Sequence, residues 1–234
     1  MNILAVGAHP DDLEILCAGT LIRCVARGDA VTTAHIARGD AGSFEHGKEE
    51  IAAIRDAEAR ASAEVIGAAY DCLAVSDGRV NAADEAQREA VVELIRRHRP
   101  DVVITHAPND YMPDHNETSK LLFDASFSAS LPNYGSGPRA APSVPALYYM
   151  DTMAGAGFEP DQYVDVTDAI EGKIEAFSKH SSQLTWLREH DNVDMVDQIR
   201  TVARFRGLQC GVSYAEGFAT CRSWLRARAL RHLP

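Results

Sequence analysis

The sequence predicts an α/β protein with a Rossmann-like, doubly wound and mostly parallel sheet covered by helices on both faces. Short apolar runs alternate with longer segments of helical periodicity almost to the end of the chain, which is typical of repeated β-α-β units. Runs such as Ile3–Val6 are apolar at every position, as in strands buried on both faces of a sheet. The 234 residues show no internal repeat and no domain boundary. We therefore expect one domain over residues 1–234.

The first half of the chain supplies four strands and the helices between them. The predicted strands are Ile3–Val6, Ala30–Ile36, Tyr70–Val75 and Val102–Thr105. The predicted helices run from about Asp12 to Gly28, to Gly67 with Ile51, Ile54, Ala61 and Val65 on one face, and from an Asp84–Gln87 cap to just before Pro100. In a sheet ordered 3-2-1-4-5, strands one and four flank the switch point at which open α/β sheets bind ligands.

The second half is less regular. Pro132 to Pro145 is rich in Pro, Gly and Ser and is expected to form a surface loop or lid that shapes a pocket. The remaining predicted elements are a helix containing Leu121, Leu122 and Phe123, strands Ala146–Met150 and Tyr163–Val166, a helix with Ile170, Ile174 and Phe177 that ends near His180–Gln183, a helix through Val196, Ile199 and Val202, and a mixed tail from Gly207 to Pro234.

The charge and composition exclude several classes of partner. A net charge of −11 and a pI near 5.2 disfavour binding to nucleic acid or to an anionic membrane surface. We find no signal peptide and no apolar run of the roughly 20 residues that a membrane span needs. The five scattered cysteines suit reduced thiols, so we expect a cytoplasmic protein. Nothing in the sequence excludes a homo-oligomer.

The first polar cluster follows strand one directly, where the chain reads His9-Pro10-Asp11-Asp12. Pro10 cannot continue the ladder, so His9 lies at a strand end and the two carboxylates lie at a helix start. Three ligand types within four residues at the carboxyl edge of a strand indicate a metal site. The alternative is a capping box between Asp11 and Glu14, which accounts for one aspartate but not for the other or for His9.

The second polar cluster follows strand four at the same edge and spans residues 109–118. Asp114 and Glu117 fit another capping box, which places His115 in the first turn of a helix. His9, Asp12 and His115 are therefore expected to converge. Two imidazoles and one carboxylate are the ligand set of a catalytic zinc that keeps an open position for water. Asp12 would be the ligand, and Asp11 would take the proton of the activated water.

A dinucleotide site is disfavoured at the same place. Such a site needs G-x-G-x-x-G after strand one so that the backbone approaches a pyrophosphate, whereas this chain has G-A-H-P-D-D. Carboxylates at a helix N-terminus repel phosphate and attract a cation.

These motifs resemble the PIG-L (LmbE-like) family of zinc deacetylases, which remove acetyl groups from N-acetylglucosaminyl substrates. A-H-P-D-D-L-E and P-D-H carry the resemblance, with R-G-D-A-G-S, K-H-S-S-Q and Y-A-E-G-F as further similar segments over most of the chain. The D-D-x-E spacing is similar to that of bacillithiol-pathway deacetylases. The resemblance implies one zinc or another divalent ion per chain on His9, Asp12 and His115, Asp11 as general base, and a small N-acetylated sugar conjugate as substrate.

The chain departs from the family pattern at one position. Many members carry H-x-D-H at the second motif, with the first histidine as an acid or electrostatic partner, but this chain has Met112 there. We interpret Met112 as pocket lining. The leaving amine still needs a proton, and His106 and His180 are alternative donors. We predict that Asp11 serves as base and then as acid, with His180 as a helper that stabilises developing charge.

Weaker substrate contacts are also predicted. Arg38 would grip a substrate oxygen, although a loop arginine is equally consistent with a surface ion pair. Asp77 resembles a sugar-contacting position, although Asp77-Gly78 is also a turn in its own right. His180 in a last helical turn would also suit the helix dipole.

Two other functions remain open. A zinc hydratase would use the same ligands to add water to the C=C bond of an unsaturated acid. A non-catalytic metal-binding protein is the third interpretation, against which Asp11 beside an open coordination position argues.

Overall fold

The computed structural model describes residues 1–135, 137 and 139–226. Seven strands form one sheet in the order β3-β2-β1-β4-β5-β7-β6. The strands are β1 Asn2–Gly7, β2 Ala30–Ala37, β3 Ala69–Val75, β4 Val102–Thr105, β5 Ala146–Met150, β6 Gln162–Asp165 and β7 Ala215–Thr220. The helices are α1 Asp12–Leu16, α2 Ala18–Ala26, α3 Lys48–Ile66, α4 Glu85–His98, α5 Pro113–Ser128, α6 Ile170–Ser178, α7 Ser181–His190 and α8 Met195–Cys210.

The five parallel strands have the order predicted from the sequence, and apolar side chains cover both faces of the sheet. Along β1, Ile3 and Ala5 pack into one core with α1 and α2, while Leu4 and Val6 pack into a second core with α4 and α5. Successive side chains of a strand point to opposite faces, so a strand that is apolar throughout needs helices on both sides. Val6 is paired with Thr105 of β4, which brings the carboxyl ends of β1 and β4 together.

The C-terminal edge of the sheet is antiparallel: β6 confirms the predicted strand Tyr163–Val166, whereas β7 was not predicted. β7 inserts between β5 and β6 and runs against both. Its sequence, A-E-G-F-A-T, contains glutamate and glycine, which are poor strand formers, so local propensity favoured an unassigned tail. Residues 227–234 of that predicted tail, and Ser136 and Pro138 of the predicted lid, lie outside the described residues.

One predicted helix is divided into two, and α7, a helix that the sequence did not predict, follows another predicted helix near its expected end. The first breaks at Cys17, where the Glu216 carboxylate accepts the N–H groups of Gly19 and Thr20 at 2.9 and 2.7 Å, at the first turn of α2. The other ends at Ser178, and α7 starts anew at Ser181. In both places a buried carboxylate from a distant element satisfies backbone N–H groups of a new first turn.

The helix after β2 buries a different face from the predicted one. The predicted stripe included Ile54, Ala61 and Val65, but these are only partly buried, whereas Arg55 and Ser62 are buried with Ile51. Polar residues therefore occupy part of the buried face of α3, at the correct helical spacing. The sequence offered this signal, but hydrophobicity alone does not detect it.

Two further observations concern the surroundings of the chain. Among the described helices, none is both long enough and apolar enough to cross a bilayer. The five cysteines are free thiols, and Cys17, Cys24 and Cys221 are buried.

Candidate metal centre

His9, Asp12 and His115 meet at the carboxyl ends of β1 and β4, as the order of the strands predicts. One side-chain donor atom from each residue lies within 4.8 Å of the others. His115 Nε2 is 3.2 Å from Asp12 Oδ1, and His9 Nδ1 is 3.7 Å from Asp12 Oδ2. His9 follows β1, Asp12 is the first residue of α1, and His115 is in the first turn of α5.

A carboxylate lies behind each imidazole. His9 Nε2 donates to Asp114 Oδ2 at 3.1 Å, which leaves Nδ1 for a ligand. His115 Nδ1 lies 3.0 Å from Asp110 Oδ1, which leaves Nε2 on the side of Asp12. Carboxylates that orient histidines in this way are a regular feature of metal sites, where they also raise ligand basicity. The sequence did not single out Asp110, and it assigned Asp114 to a helix cap.

The donor set fits a divalent cation. His115 Nε2 is buried and has no hydrogen-bond partner among the described residues, although Asp12 Oδ1 is near, so this nitrogen is left for a metal, which would displace its proton. Imidazole and carboxylate are the donors that zinc and similar metals take in catalytic sites. The residues present therefore match the metal that the motif pattern implies.

The electrostatics of the group favour positive charge. Burial opposes the charge on His9, but hydrogen bonds with Asp114 and Asp12 outweigh it and raise the His9 pKa to about 9. Burial also opposes the charge on His115, and the Asp12 and Asp110 carboxylates raise its pKa to about 10. Burial works against the charged form of Asp12 as well, but His115 and His106 hold the Asp12 pKa well below its usual range. The carboxylates thus create a strongly cation-attracting position.

Neither predicted capping box forms in the structure. Asp11 is the residue before α1 but accepts no capping hydrogen bond, and Glu14 accepts instead from Ser62 Oγ at 2.6 Å. Met112 is the N-cap residue of α5, while Asp114 accepts from Gly78 N at 2.7 Å. Glu14 and Asp114 therefore each accept from a donor that is distant in sequence rather than from the first turn of their own helix. The separate cap predicted at Asp84 is confirmed, because its side chain accepts from Gln87 N.

Asp11 lies beside the three-residue group with an unusual backbone. Its φ of 115° is in the left-handed region, which is uncommon for a residue with a side chain and is often found at functional sites. Burial raises the Asp11 pKa to about 6, although the Arg55 guanidinium works against the shift. A carboxylate with a pKa near neutrality is suited to taking up and returning a proton.

Arg55 is the main residue at this site that sequence reasoning missed. It is buried on α3, and its Nη2 donates to the carbonyl of Pro10 and to Asp11 Oδ1, the latter at 3.2 Å. Gly39 makes room for it, because a Cβ at Gly39 would lie only 2.6 Å from the Arg55 side chain. An arginine on the buried stripe of an amphipathic helix was the available signal.

His106 packs against His115 and lies next to Asp12. Its ring stacks on that of His115, with centroids 3.8 Å apart, and its Nε2 is 3.0 Å from both Ala8 N and Asp12 Oδ2. Burial and the neighbouring His115 lower the His106 pKa to about 4. A neutral His106 can accept from Ala8 N–H through Nε2 and stack on His115, but it holds no spare proton for a leaving group near pH 7.

The other predicted site residues are distributed differently. Asp77 and Met112 line a cavity beside His9, Asp12 and His115, which is described below. Asp77 also accepts from the N–H groups of Gly39 and Ala41. Arg38 instead pairs with Asp40 and Glu49, outside the lining of this cavity. His180 is buried between α6 and α7 rather than in a last helical turn, with Nε2 3.5 Å from Glu14 Oε1, and it too is absent from the lining.

The cavity has a volume of about 460 Å³ and is open to solvent. His9, Asp11, Asp12 and His115 form one wall. The other walls include Tyr111 before α5, Met153 after β5, and Gln183, Trp186 and Leu187 of α7. A site of this size accepts a small molecule.

An open α/β sheet with a His-Asp-His group and a separate buried carboxylate at its carboxyl edge is the architecture of a metal-dependent hydrolase. Comparison with known proteins specifies the class further. The chain belongs to the PIG-L family, described as GlcNAc-PI de-N-acetylase, the profile of which matches residues 4–126. The resemblance drawn from the two motifs is therefore confirmed, and the protein is an enzyme of the amide hydrolase class, an N-deacetylase.

Individual proteins agree with the family assignment. The chain is 29% identical over 227 residues to diacetylchitobiose deacetylase of Thermococcus kodakarensis, covering 92% of this chain and 81% of that protein. N,N'-diacetylchitobiose deacetylase of Pyrococcus horikoshii, solved with its inhibitor MPG, superposes with a TM-score of 0.82 and 27% identity over 94% of this chain and 83% of that chain.

A hydratase has the same fold. The 4-carboxy-2-hydroxymuconate hydratase of Pseudomonas putida KT2440 superposes with a TM-score of 0.83 over 98% of this chain and 100% of that chain, at 22% identity. At that identity the likeness concerns the fold alone.

Proposed function

We propose that this enzyme is a zinc-dependent deacetylase of an N-acetylated amino sugar of the N-acetylglucosaminyl type. The observation that carries the proposal is the His9, Asp12 and His115 group, with the separate carboxylate of Asp11 beside it, in the wall of an open cavity. The relatives named above act on diacetylchitobiose, which supports a sugar substrate. The reaction consumes water, breaks the amide C–N bond, and releases acetate and a free amine.

His9, Asp12 and His115 would hold one metal ion, for which we propose zinc, although other divalent ions also suit these donors. When bound, the metal supplies Lewis acidity that favours ionisation of water and polarises an amide carbonyl. Asp110 and Asp114 keep the two imidazoles in the ligating orientation.

Asp11 would move the proton. With a pKa near 6 it is mostly ionised at neutral pH, so it can take a proton from water and then give it to the departing nitrogen. Arg55 keeps the carboxylate in place through its Asp11 Oδ1 contact. Because Met112 stands where many family members have a histidine, this double role for Asp11 remains our preferred route.

Substrate contacts and helper groups remain proposals. Asp77 and Met112 are placed to contact a bound sugar, since both line the cavity. Arg38 would need to leave its pairs with Asp40 and Glu49 to reach a substrate. His180 would act only through charge, because it pairs with Glu14 and does not line the cavity. Cytoplasmic location and a homo-oligomeric state also remain predictions.

The test is release of acetate from N-acetylglucosamine and N,N'-diacetylchitobiose by the purified enzyme. Dipicolinate or EDTA should abolish it, and zinc should restore it. His115→Ala, with the metal measured by elemental analysis, should lose metal while retaining the folded far-UV spectrum. A metal-loaded enzyme that releases no acetate but hydrates an unsaturated acid would establish the hydratase alternative. A metal-loaded protein inactive in both assays would be a binding protein.

A further inference from the structure

A second cavity adjoins the metal cavity. It has a volume of about 270 Å³ and lies between the loop after β2, α3 and α7. Gly42 and Trp186 line both cavities, so the two form neighbouring compartments that share a border. Nothing in the chemistry proposed above uses the second compartment.

Exposed aromatic side chains form one wall of this compartment. Phe44 is 73% exposed, and its ring centroid lies 4.6 Å from that of Trp186 at an angle of 38°. Trp186 in turn stacks on His190 with centroids 4.4 Å apart and an angle of 12°. We name Phe44 and Trp186, with His190 stacked on Trp186 outside the lining, the aromatic shelf. A large aromatic surface left open to water beside a cavity is typical of a ligand site.

Apart from Ile51 and Ile54, the rest of the compartment is polar, and His46, which lies 3.2 Å from the Glu50 carboxylate, is the only basic side chain that the described residues place in its lining. Ser43, Glu45, Thr185 and Glu189 contribute to it, and among the described residues no lysine or arginine does. With a net charge of −11 on the chain, a phosphate or carboxylate would be repelled here. The compartment therefore suits an uncharged ligand with one apolar face and several hydroxyl groups.

Both sides of the compartment are held in position. The Glu58 carboxylate accepts from Ser181 Oγ at 2.8 Å and from Ser182 N at 2.8 Å, which anchors the start of α7 on α3. On the other side, Ser43 Oγ accepts from the N–H groups of Glu45 and His46. A shelf that is already formed costs less ordering entropy when a ligand binds.

We propose that the aromatic shelf binds the second pyranose ring of a disaccharide-type substrate whose N-acetyl group lies in the metal cavity. This inference rests on the proposed deacetylase function and assigns residues that determine substrate length. A pyranose presents C–H groups on one face, which pack on aromatic rings, and hydroxyl groups at its edge, which bond to polar neighbours. The border at Gly42 and Trp186 is where the glycosidic link would cross.

Phe44→Ala tests the shelf through substrate preference. Phe44 lines only the second compartment, so the ratio of kcat/KM for N,N'-diacetylchitobiose to that for N-acetylglucosamine should fall about tenfold, mainly through KM for the disaccharide. Phe205→Ala, the same change at a 47%-exposed side chain on α8, is the matched control and should leave the ratio unchanged. An unchanged ratio in Phe44→Ala would overturn the inference.

Gly42→Leu tests the border itself. A Cβ at Gly42 would make an ordinary 3.8 Å contact with Trp186, so the fold has room for it, while the longer side chain would enter the passage. The same ratio should fall at least as far as in Phe44→Ala. Full disaccharide activity would mean that the sugar does not cross this border.

A binding measurement separates failure of this inference from failure of the proposed function. The chain has two tryptophans, so Trp224→Phe leaves Trp186 as the sole indole reporter. Titration with diacetylchitobiose should change its emission saturably, and Phe44→Ala should weaken that binding about tenfold. Saturable binding without acetate release would refute the deacetylase function alone. Acetate release from the disaccharide with no response of Trp186 would refute the shelf alone.

Discussion

Two buried clusters of charged side chains differ in how completely their polar atoms are satisfied. The first is the metal-site cluster of His9, Asp11, Asp12 and His115, with its supporting carboxylates. The second, which we name the Glu216 cluster, consists of Asp151, Lys173, Arg206 and Glu216 beneath the antiparallel edge of the sheet. Both are largely buried, and both join residues far apart in sequence.

In the Glu216 cluster every carboxylate is saturated. Glu216 accepts from Gly19 N, Thr20 N and Lys173 Nζ. Asp151 accepts from Arg206 Nε at 2.6 Å and from Arg206 Nη2 at 2.9 Å. In the metal-site cluster, His115 Nε2 is buried without a hydrogen-bond partner among the described residues, and the group borders an open cavity. Burial of charge therefore does not identify a functional site, whereas an unsatisfied donor set beside a cavity does.

The largest expected effect is a loss of turnover in the metal-site cluster, at Asp11. Asp11→Asn keeps an oxygen that can accept from Arg55 but cannot take a proton, so turnover should fall by roughly 10²–10⁴. Metal content by elemental analysis and the melting temperature should stay near those of the parent. Full activity with metal bound would show that Asp11 is not the base.

The Glu216 cluster should respond through stability instead. Glu216→Ala leaves Lys173 buried without its partner and two backbone N–H groups unsatisfied, which should cost about 3–5 kcal/mol in the free energy of unfolding. For a chain of this size that corresponds to a fall in Tm of roughly 10 °C. Glu171→Ala is the matched control, because Glu171 pairs with Arg200 on the surface and its loss should leave Tm nearly unchanged. Equal Tm values for both variants would contradict the contrast drawn above.

A smaller effect, on metal affinity, is expected at Asp114, which bonds to His9. Asp114→Asn removes the charge that orients His9, so metal affinity should fall about 10- to 100-fold, measured by competition with a chromogenic chelator. Asp124→Asn, further along α5 and away from His9, is the control and should bind metal like the parent. If Asp114→Asn also matches the parent, then Asp114 serves only the Gly78 turn.

The smallest effect on chemistry is expected at His180. It lies outside the cavity lining and faces Glu14, so His180→Ala should reduce turnover by less than about 100-fold, below the upper range for a lost general acid. Steady-state kinetics with metal content measured in parallel would check this. A loss as large as that of Asp11→Asn, with metal retained, would assign the acid role to His180.

The sequence alone determined the parallel part of the fold and the convergence of His9, Asp12 and His115. Apolar strands ending in polar motifs are local signals, and the handedness and order of β-α-β units place the ends of β1 and β4 together. His9, Asp12 and His115 could therefore be assembled from spacing on known elements. Met112 was likewise recognised as a departure because it falls inside a motif.

Tertiary structure alone decided how each polar side chain was used. Local spacing assigned Glu14 and Asp114 to helix caps. In the folded chain, Glu14 instead accepts from Ser62 and Asp114 accepts from His9. Arg55 reaches Asp11 from α3 across a separation of 44 residues, which no local pattern encodes. The free energy of a buried polar atom depends on which partner the completed fold brings within hydrogen-bond distance, and that choice is made between elements rather than within them.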